Sequence, residues 1–341
     1  MLNATLSHDA NRELVKWVRL WLTNKTTPYL TNTEFKKSFD KHKGDVNLIF
    51  NEIQEQSLLN GDLVSEEDAI KQIEKVHNFN AQIITIDSPI YPAMLKQIQH
   101  PPIVLCVKGN TDLFLKIKVA IVGSRNASLA AINTTAHFAK ELAKNNICIV
   151  SGFASGVDTA ACKNATQFGC IQVIATGLDV IYPKSNTQLY NSVLENGGLF
   201  VSEYPMGNNC SRWIGVKTKI HNSSAFAIGK KNFTNFPERN RIISGMSHYT
   251  IVSQINISNP ASIQKKGIDF MIGTGSGSMN TAYNVIKQGG GRVLFAVPGN
   301  PNDEAAIGCN MLIEKNLARP IFSHMAILEL AQRDLNLNIN P

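Results

Sequence analysis

Two short apolar runs constrain this chain more than anything else in it. Ile117 to Val122 breaks into Gly123-Ser124-Arg125-Asn126, a helical pattern follows, and Ile147 to Val150 breaks into Ser151-Gly152. Short β-branched runs closed by Gly read as buried parallel strands, and the ~20 residues between them suit a crossover helix. The unit is strand, helix, strand. Its Gly-rich turns fall where open α/β sheets place ligands, outside the carboxyl ends of the strands and beside helix N-termini whose free N–H groups favour anions.

The same rhythm continues on the C-terminal side. Val157 to Phe168 reads as a helix with Asp158 in its first turn, followed by strand Ile171 to Ala175, the turn Thr176-Gly177-Leu178-Asp179, a helix from Ser185 to Glu195 and strand Leu199 to Ser202. After an interruption it resumes with a helix opening at Phe236-Pro237, strand Tyr249 to Gln254, the Gly275 to Ser278 turn with its helix, strand Val293 to Val297 and a short helix from Asn310 to Lys315. Strands alternating with helices predict a doubly wound, mostly parallel Rossmann-like sheet over residues 81–320. Before it, apolar spacing over residues 10–75 predicts a small helical domain, 1–80, while 321–341 reads as a weakly patterned tail. Gln82 to Ile86 and Ile103 to Lys108 read as two short strands joined through prolines.

Charge locates the anion surface. Of the net +7, the 36 residues from 206 to 241 hold +6, with seven Lys and Arg against one acidic residue. A basic block of this density predicts a surface facing a polyanion, a solvated loop being the alternative. Trp213, Phe226, Phe233 and Phe236 interleave with the charges, and the segment 206–236 reads as irregular, as does 256–274. Phe233 is the candidate for base stacking, flanked by Lys230 and Lys231, since basic groups along a backbone plus aromatic faces are what sequence-tolerant strand binding needs.

Several chemistries are excluded by what is missing. There is no GxxxxGK[ST], no GxGxxG, no HExxH and no GxSxG. The six cysteines show no metal spacing and read as reduced thiols of a cytoplasmic protein; no metal, cofactor or catalytic residue is expected. No apolar run approaches membrane-spanning length and no secretory leader opens the chain, so no membrane association is expected. Asp158 and Asp179 each follow a Gly-containing strand end, where Asp caps turns and helices more often than it performs acid–base work.

Gly123-Ser124-Arg125, Ser151-Gly152 with Gly156-Val157-Asp158, Gly177-Leu178-Asp179 with Tyr182-Pro183, Ser202-Glu203, the string from Phe236-Pro237 to Ile243, Gly275 to Ala282 and Ala296 to Gly299 follow one another in a recognisable order. In that order and approximate spacing they resemble the bacterial DNA-processing protein A (DprA/Smf) family over roughly residues 80–318. The resemblance implies an extended Rossmann-like domain, preceded here by a sterile-alpha-motif-like helical domain. It implies a homodimer that binds and protects single-stranded DNA, passes it to the recombinase RecA in natural transformation and turns over no substrate. It puts phosphate contacts at Ser124 and Arg125, DNA contacts near Arg239, Asn240 and Arg241, and small-residue backbone contacts at Gly152, Gly156, Ser276 and Gly277.

Departures from the family pattern stand at Cys162, where His is usual, and at Gln254-Ile255, where an acidic residue and Ala are usual. The two irregular segments are longer than the family's connections, and the C-terminal winged-helix module of many members is expected to be absent. Arg239 and Arg241 have an alternative reading as structural partners of Glu238 or Glu203. Two alternative functions remain: a nucleotide phosphoribohydrolase of the lysine-decarboxylase-like group, whose PGGxGTxxE motif finds glycines but no Glu near Gly275 to Ala282, and a degenerate family member that binds no DNA.

Overall fold

The computed structural model describes residues 8–26, 30–60, 63–219, 226–257, 271 and 276–335. Four helices come first: α1 (His8–Thr26), α2 (Asn32–Lys41), α3 (Val46–Asn60) and α4 (Glu66–Asn78). Thr31 and Ser65 cap α2 and α4 by accepting the N–H of Glu34 and Asp68, and Thr31 with Glu34 completes a reciprocal capping box. Trp17, Trp21, Phe35 and Phe39 point inward from this layer.

Then the sheet begins. Strand β1 (Gln82–Thr85), the single-turn helix α5 (Ala93–Lys96) and β2 (Val104–Gly109) lead into β3 (Lys118–Val122), α6 (Leu129–Lys144), β4 (Cys148–Ser151), α7 (Val157–Ala165), β5 (Cys170–Ile174), α8 (Thr187–Glu195) and β6 (Leu199–Ser202). A hairpin of β7 (Ser211–Lys219) and β8 (Phe226–Thr234) intervenes before α9 (Phe236–Met246) and β9 (Tyr249–Val252). The chain continues through α10 (Gly277–Gln288), β10 (Val293–Ala296), α11 (Ile307–Glu314), β11 (Arg319–Pro320) and α12 (Met325–Leu335).

Nine strands form one sheet in the order β1-β2-β6-β5-β4-β3-β9-β10-β11, and every neighbouring pair from β6 to β11 is parallel. Strand β2 is antiparallel to both of its neighbours, so it alone runs against the rest. From β3 the chain winds outward through β4, β5 and β6, then returns to start again at β9 on the other side. Right-handed crossovers put α6 and α7 on one face and α9 and α10 on the other, and each of these pairs packs together. The winding reverses between β3 and β9. Ligands of doubly wound sheets bind outside the carboxyl ends of the strands at this switch point.

Three expectations change. Residues 206–236 are not irregular throughout: Ser211 pairs with Thr234 and Lys219 with Phe226 in a two-stranded ribbon separate from the main sheet. The last short helix starts earlier, at Ile307, because Asp303 caps a preceding turn through the N–H of Ala305. The C-terminal segment is patterned after all, since α12 buries Ile327, Leu328 and Ala331. Near residue 80 the composition changes, yet a single apolar core runs from Trp17, Trp21 and Phe35 through Ile84 and Leu105 to Ile121, Val150 and Val173.

Candidate nucleic-acid interface

At the switch point lies a cavity of about 380 Å³. The turn after β3 supplies Gly123, Ser124, Arg125 and Asn126, the turn after β4 supplies Ala154, and α7 supplies Asp158. The opposite wall is Phe236, Pro237, Arg239 and Asn240 of α9 with Ser276, Gly277 and Ser278 at the start of α10. Neither Asn235 nor Ser276, the residues that precede α9 and α10, caps its helix with a side chain. Two helix N-termini without side-chain caps therefore lie on the same wall, with the positive end of each helix dipole towards the space between.

The Gly-Ser-Arg turn is held by backbone bonds. The Ser124 N–H donates to Gln254 O at 3.0 Å, the Val157 N–H donates to Ser124 O at 3.2 Å, and Ser124 Oγ accepts from the Asn126 N–H at 3.1 Å. Gly156, with φ of +76°, lets the chain pass against this turn: a Cβ there would collide with the carbonyl oxygens of Ser124 and Arg125. Arg125 emerges from the turn exposed to solvent, its guanidinium carbon 4.5 Å from the centroid of the Phe236 ring. Tyr182 approaches the same ring at 5.8 Å between centroids. The sequence marks Phe236 as an interleaved aromatic and as the start of the string to Ile243, but not as a site residue; its place beside a Pro at the first turn of α9, three residues before Arg239, puts it in the wall.

Arg239 serves a different purpose from Arg125. It is 3% exposed; Nη1 donates to the carbonyls of Gly152 and Val173, and Nε donates to Asn240 Oδ1 at 3.1 Å. Beside it, Asp158 accepts from the N–H groups of Gly152 at 3.1 Å and Ala154 at 3.4 Å. Burial pushes the Asp158 carboxyl upward and Arg239 opposes that shift, which makes the two a compensating pair in the cavity lining. Gly152 is glycine because a Cβ would press into the Arg239 guanidinium and the Asp158 carboxylate.

Arg241 is also internal. Its Nη1 and Nη2 grip Glu203 at 2.7 and 2.6 Å, and Nε donates to His100 O at 2.8 Å. Burial works against its charge, but Glu203 outweighs that and holds the guanidinium protonated more firmly than usual. The structural ion pair weighed for Arg241 with Glu203 thus exists. Asn240 reaches across to α10, where Nδ2 donates to Gly277 O at 3.0 Å and ties the two helices of this wall together. The side chains of Lys230, Lys231 and Phe233, like those of Trp213 and Phe226, lie outside the described residues, as do Gly275 and most of 256–274.

The departures from the family pattern are accommodated locally. Gln254 Oε1 accepts the Ser128 N–H at the start of α6 at 2.9 Å, and its Nε2 donates to Asn256 at 2.7 Å. Cys162 is fully buried, is absent from the cavity wall and pairs with Thr166 in the core beneath α7. The first turn of α10 contains no acidic residue, which leaves the phosphoribohydrolase reading without its Glu. Among the described residues no group of three His, Cys, Asp or Glu is arranged to hold a metal, and no helix is long and apolar enough to cross a membrane.

Fold and site together define a Rossmann-like protein whose switch-point cavity is lined by two helix starts without side-chain caps, small-residue turns and one exposed Arg stacked on an aromatic ring. The chain belongs to the DNA-processing protein A (DprA/Smf) family. A family model described as DNA recombination-mediator protein A matches residues 82–218. The chain is 34% identical over 247 residues to the DNA processing protein DprA of Streptococcus pneumoniae, covering 72% of this chain and 71% of that one. It is 35% identical over 249 residues to DprA of Bacillus subtilis, covering 72% and 70%. The solved structure of S. pneumoniae DprA superposes with a TM-score of 0.66 at 28% identity, covering 92% of this chain and 97% of that one. A structure of DNA processing protein A from Helicobacter pylori, described for its single-stranded DNA binding mode, gives 0.54 at 28% identity over 74% of this chain and 97% of its own.

Proposed function

We propose that this protein is a recombination mediator that binds single-stranded DNA without sequence preference at the β3/β9 switch point and performs no catalytic turnover. The observation that carries the reading is Arg125, solvent-exposed and poised over Phe236 at the rim of a cavity walled by two helix N-termini without side-chain caps. A phosphate between Arg125 and those helix ends leaves its neighbouring base free to meet an aromatic face. Ser124, Gly152, Gly156, Ser276 and Gly277 supply the close backbone approach, and Lys230, Lys231 and Phe233 of the basic ribbon extend the track. Asn240 and Arg239 act at the cavity wall, while Arg241 acts from behind it.

Support comes from the family relationship, since the H. pylori relative is described by its single-stranded DNA binding. Delivery of the strand to RecA and action as a homodimer follow from the same relationship, and both belong to the proposal. Among the described residues the cavity wall contains one carboxylate, Asp158, which accepts from two N–H groups and is balanced by Arg239.

The test is fluorescence anisotropy with labelled oligothymidylate at several salt concentrations. We expect binding that weakens steeply with salt, in the wild type more steeply than in Arg125→Ala. No binding at low salt overturns the reading. Release of free base from nucleoside monophosphates would replace it with the hydrolase.

A further inference from the structure

Behind the cavity wall, the N-terminal helical layer sends a charge into the interior. Lys25, at the end of α1, has a side chain 1% exposed, and its Nζ lies 2.8 Å from Glu203 Oε1 and 2.7 Å from Glu238 Oε1. Glu203, at the end of β6 and also 1% exposed, takes the fork of Arg241 on its other side. Two cations and two carboxylates thus balance. Tyr204 joins them: its hydroxyl donates to Asn235 O at 3.0 Å and lies 3.2 Å from Glu238 Oε2, while the Trp21 indole N–H donates to Glu203 O at 2.8 Å.

Most links of this knot reach the N-terminal half of α9 or the residue before it. Glu238 and Arg241 belong to that helix, and Asn235 is the residue before it. The first turn of α9 carries Phe236 and Pro237 into the cavity wall. Among the described residues no side chain of α1 lines the cavity, and yet Lys25 of that helix grips the turn that forms one of its sides.

We infer that Lys25 is a positioning residue for the switch-point site: held between Glu203 and Glu238, it fixes the first turn of α9 and so the Phe236 ring on which Arg125 rests. This rests on the binding function proposed above. Buried ion pairs contribute little net stability but specify one arrangement of the elements they join. Here the arrangement specified is that of a binding wall, and the N-terminal layer acquires a role in binding with no nucleic-acid contact of its own.

The position of Glu238 makes the inference testable by sign. Glu238 is a carboxylate close to a polyanion site, so if it did no positioning its removal would raise affinity through simple charge repulsion. The positioning role requires the opposite. In full-length protein, Glu238→Gln and Lys25→Met should each lower affinity for labelled oligothymidylate by about tenfold, and the double variant by little more than either, because all three break one link. The slope of log affinity against log salt should stay at the wild-type value, since Lys25 neutralises no phosphate. Glu238→Gln keeps the test available if Lys25→Met does not fold, because its side chain is 22% exposed and Lys25 retains Glu203.

Amide hydrogen exchange over residues 236–241 without DNA gives an independent reading. Faster exchange there in both variants, with the sheet strands unchanged, is expected. Glu238→Gln binding as tightly as wild type or tighter, or wild-type exchange at 236–241, overturns the inference. Failure of the wild type itself to bind while exchange responds as expected would instead remove the binding function and leave the positioning contact standing.

Discussion

The guanidinium carbon of Arg125 lies 4.5 Å from the centroid of the Phe236 ring, joining the turn after β3 to the first turn of α9 across the mouth of the cavity. One residue supplies charge and the other a flat apolar face, and they act by different physics. Replacing Arg125 by Ala should reduce the salt slope of oligonucleotide binding by about 1, because one fewer phosphate counterion is released. Replacing Phe236 by Leu should weaken binding by about 1–3 kcal/mol, the worth of one base–aromatic stack, and leave the slope unchanged. Anisotropy titrations across salt separate the two, and identical slopes in wild type and Arg125→Ala would remove phosphate contact from Arg125.

Arg239 should behave as a stability residue rather than as a surface contact. Arg239→Ala strips the compensating cation from Asp158, which is 5% exposed, and leaves the carbonyls of Gly152 and Val173 without their donor. Breaking a buried pair on one side costs about 3–5 kcal/mol. Urea unfolding should therefore show a midpoint far below wild type. The double variant Arg239→Met with Asp158→Asn should recover part of that loss, since no buried charge is then left alone. A wild-type midpoint for Arg239→Ala would contradict the buried pairing.

What could be read from the chain divides along a physical line. The strands and turns around Ser124 and Gly152 were legible because an apolar run closed by Gly is a local signal, and the parallel sheet followed from the alternation. The sequence left Arg241 open between a DNA contact and a pair with Glu203, and gave no sign that Arg239 is buried against Gly152 and Val173. Burial of a guanidinium depends on partners at Gly152, Val173 and Glu203, between 38 and 87 residues away, and no local pattern marks an Arg as internal. The β7–β8 ribbon escaped for another reason: neither strand alternates apolar and polar residues, and Gly215 and Gly229 interrupt both. Helix α12 had a readable face in Ile327, Leu328 and Ala331, but with only one weak capping signal, Ser323 Oγ accepting the Met325 N–H.

Acid sensitivity should have a specific contributor in His248. Burial, first, and then the nearby Lys118 ammonium lower its pKa from 6.5 to about 4, and Nδ1 accepts the Lys118 N–H at 3.2 Å, which requires a neutral ring. The folded-state pKa is therefore below the unfolded one. The stability it contributes is present above about pH 6.5 and is lost as pH falls from there towards 4, because the unfolded chain takes up the proton first. His248→Asn keeps an acceptor without a titrating ring. Melting temperature measured from pH 7.5 to 4 should decline less steeply in that variant than in wild type; parallel profiles would show that His248 does not titrate in this window.

Gly156 should be the least replaceable residue of the anion turn. At φ of +76° any L side chain is strained, and a Cβ would also enter the space of the Ser124 and Arg125 carbonyl oxygens. Gly156→Ala must therefore move either α7 or the turn that carries Arg125. Stability should fall by about 1–3 kcal/mol from the backbone strain, and DNA affinity should fall with it even at temperatures where the variant is fully folded. The decisive comparison is with Gly289→Ala, since Gly289 also has a positive φ, of +55°, but a Cβ there meets nothing within 4 Å. Both substitutions strain the backbone. Only Gly156→Ala disturbs the turn, so oligonucleotide binding should separate the two variants after their stabilities have been matched by temperature. Equal affinities under matched conditions would mean that the placement of the Gly-Ser-Arg turn is not what sets binding.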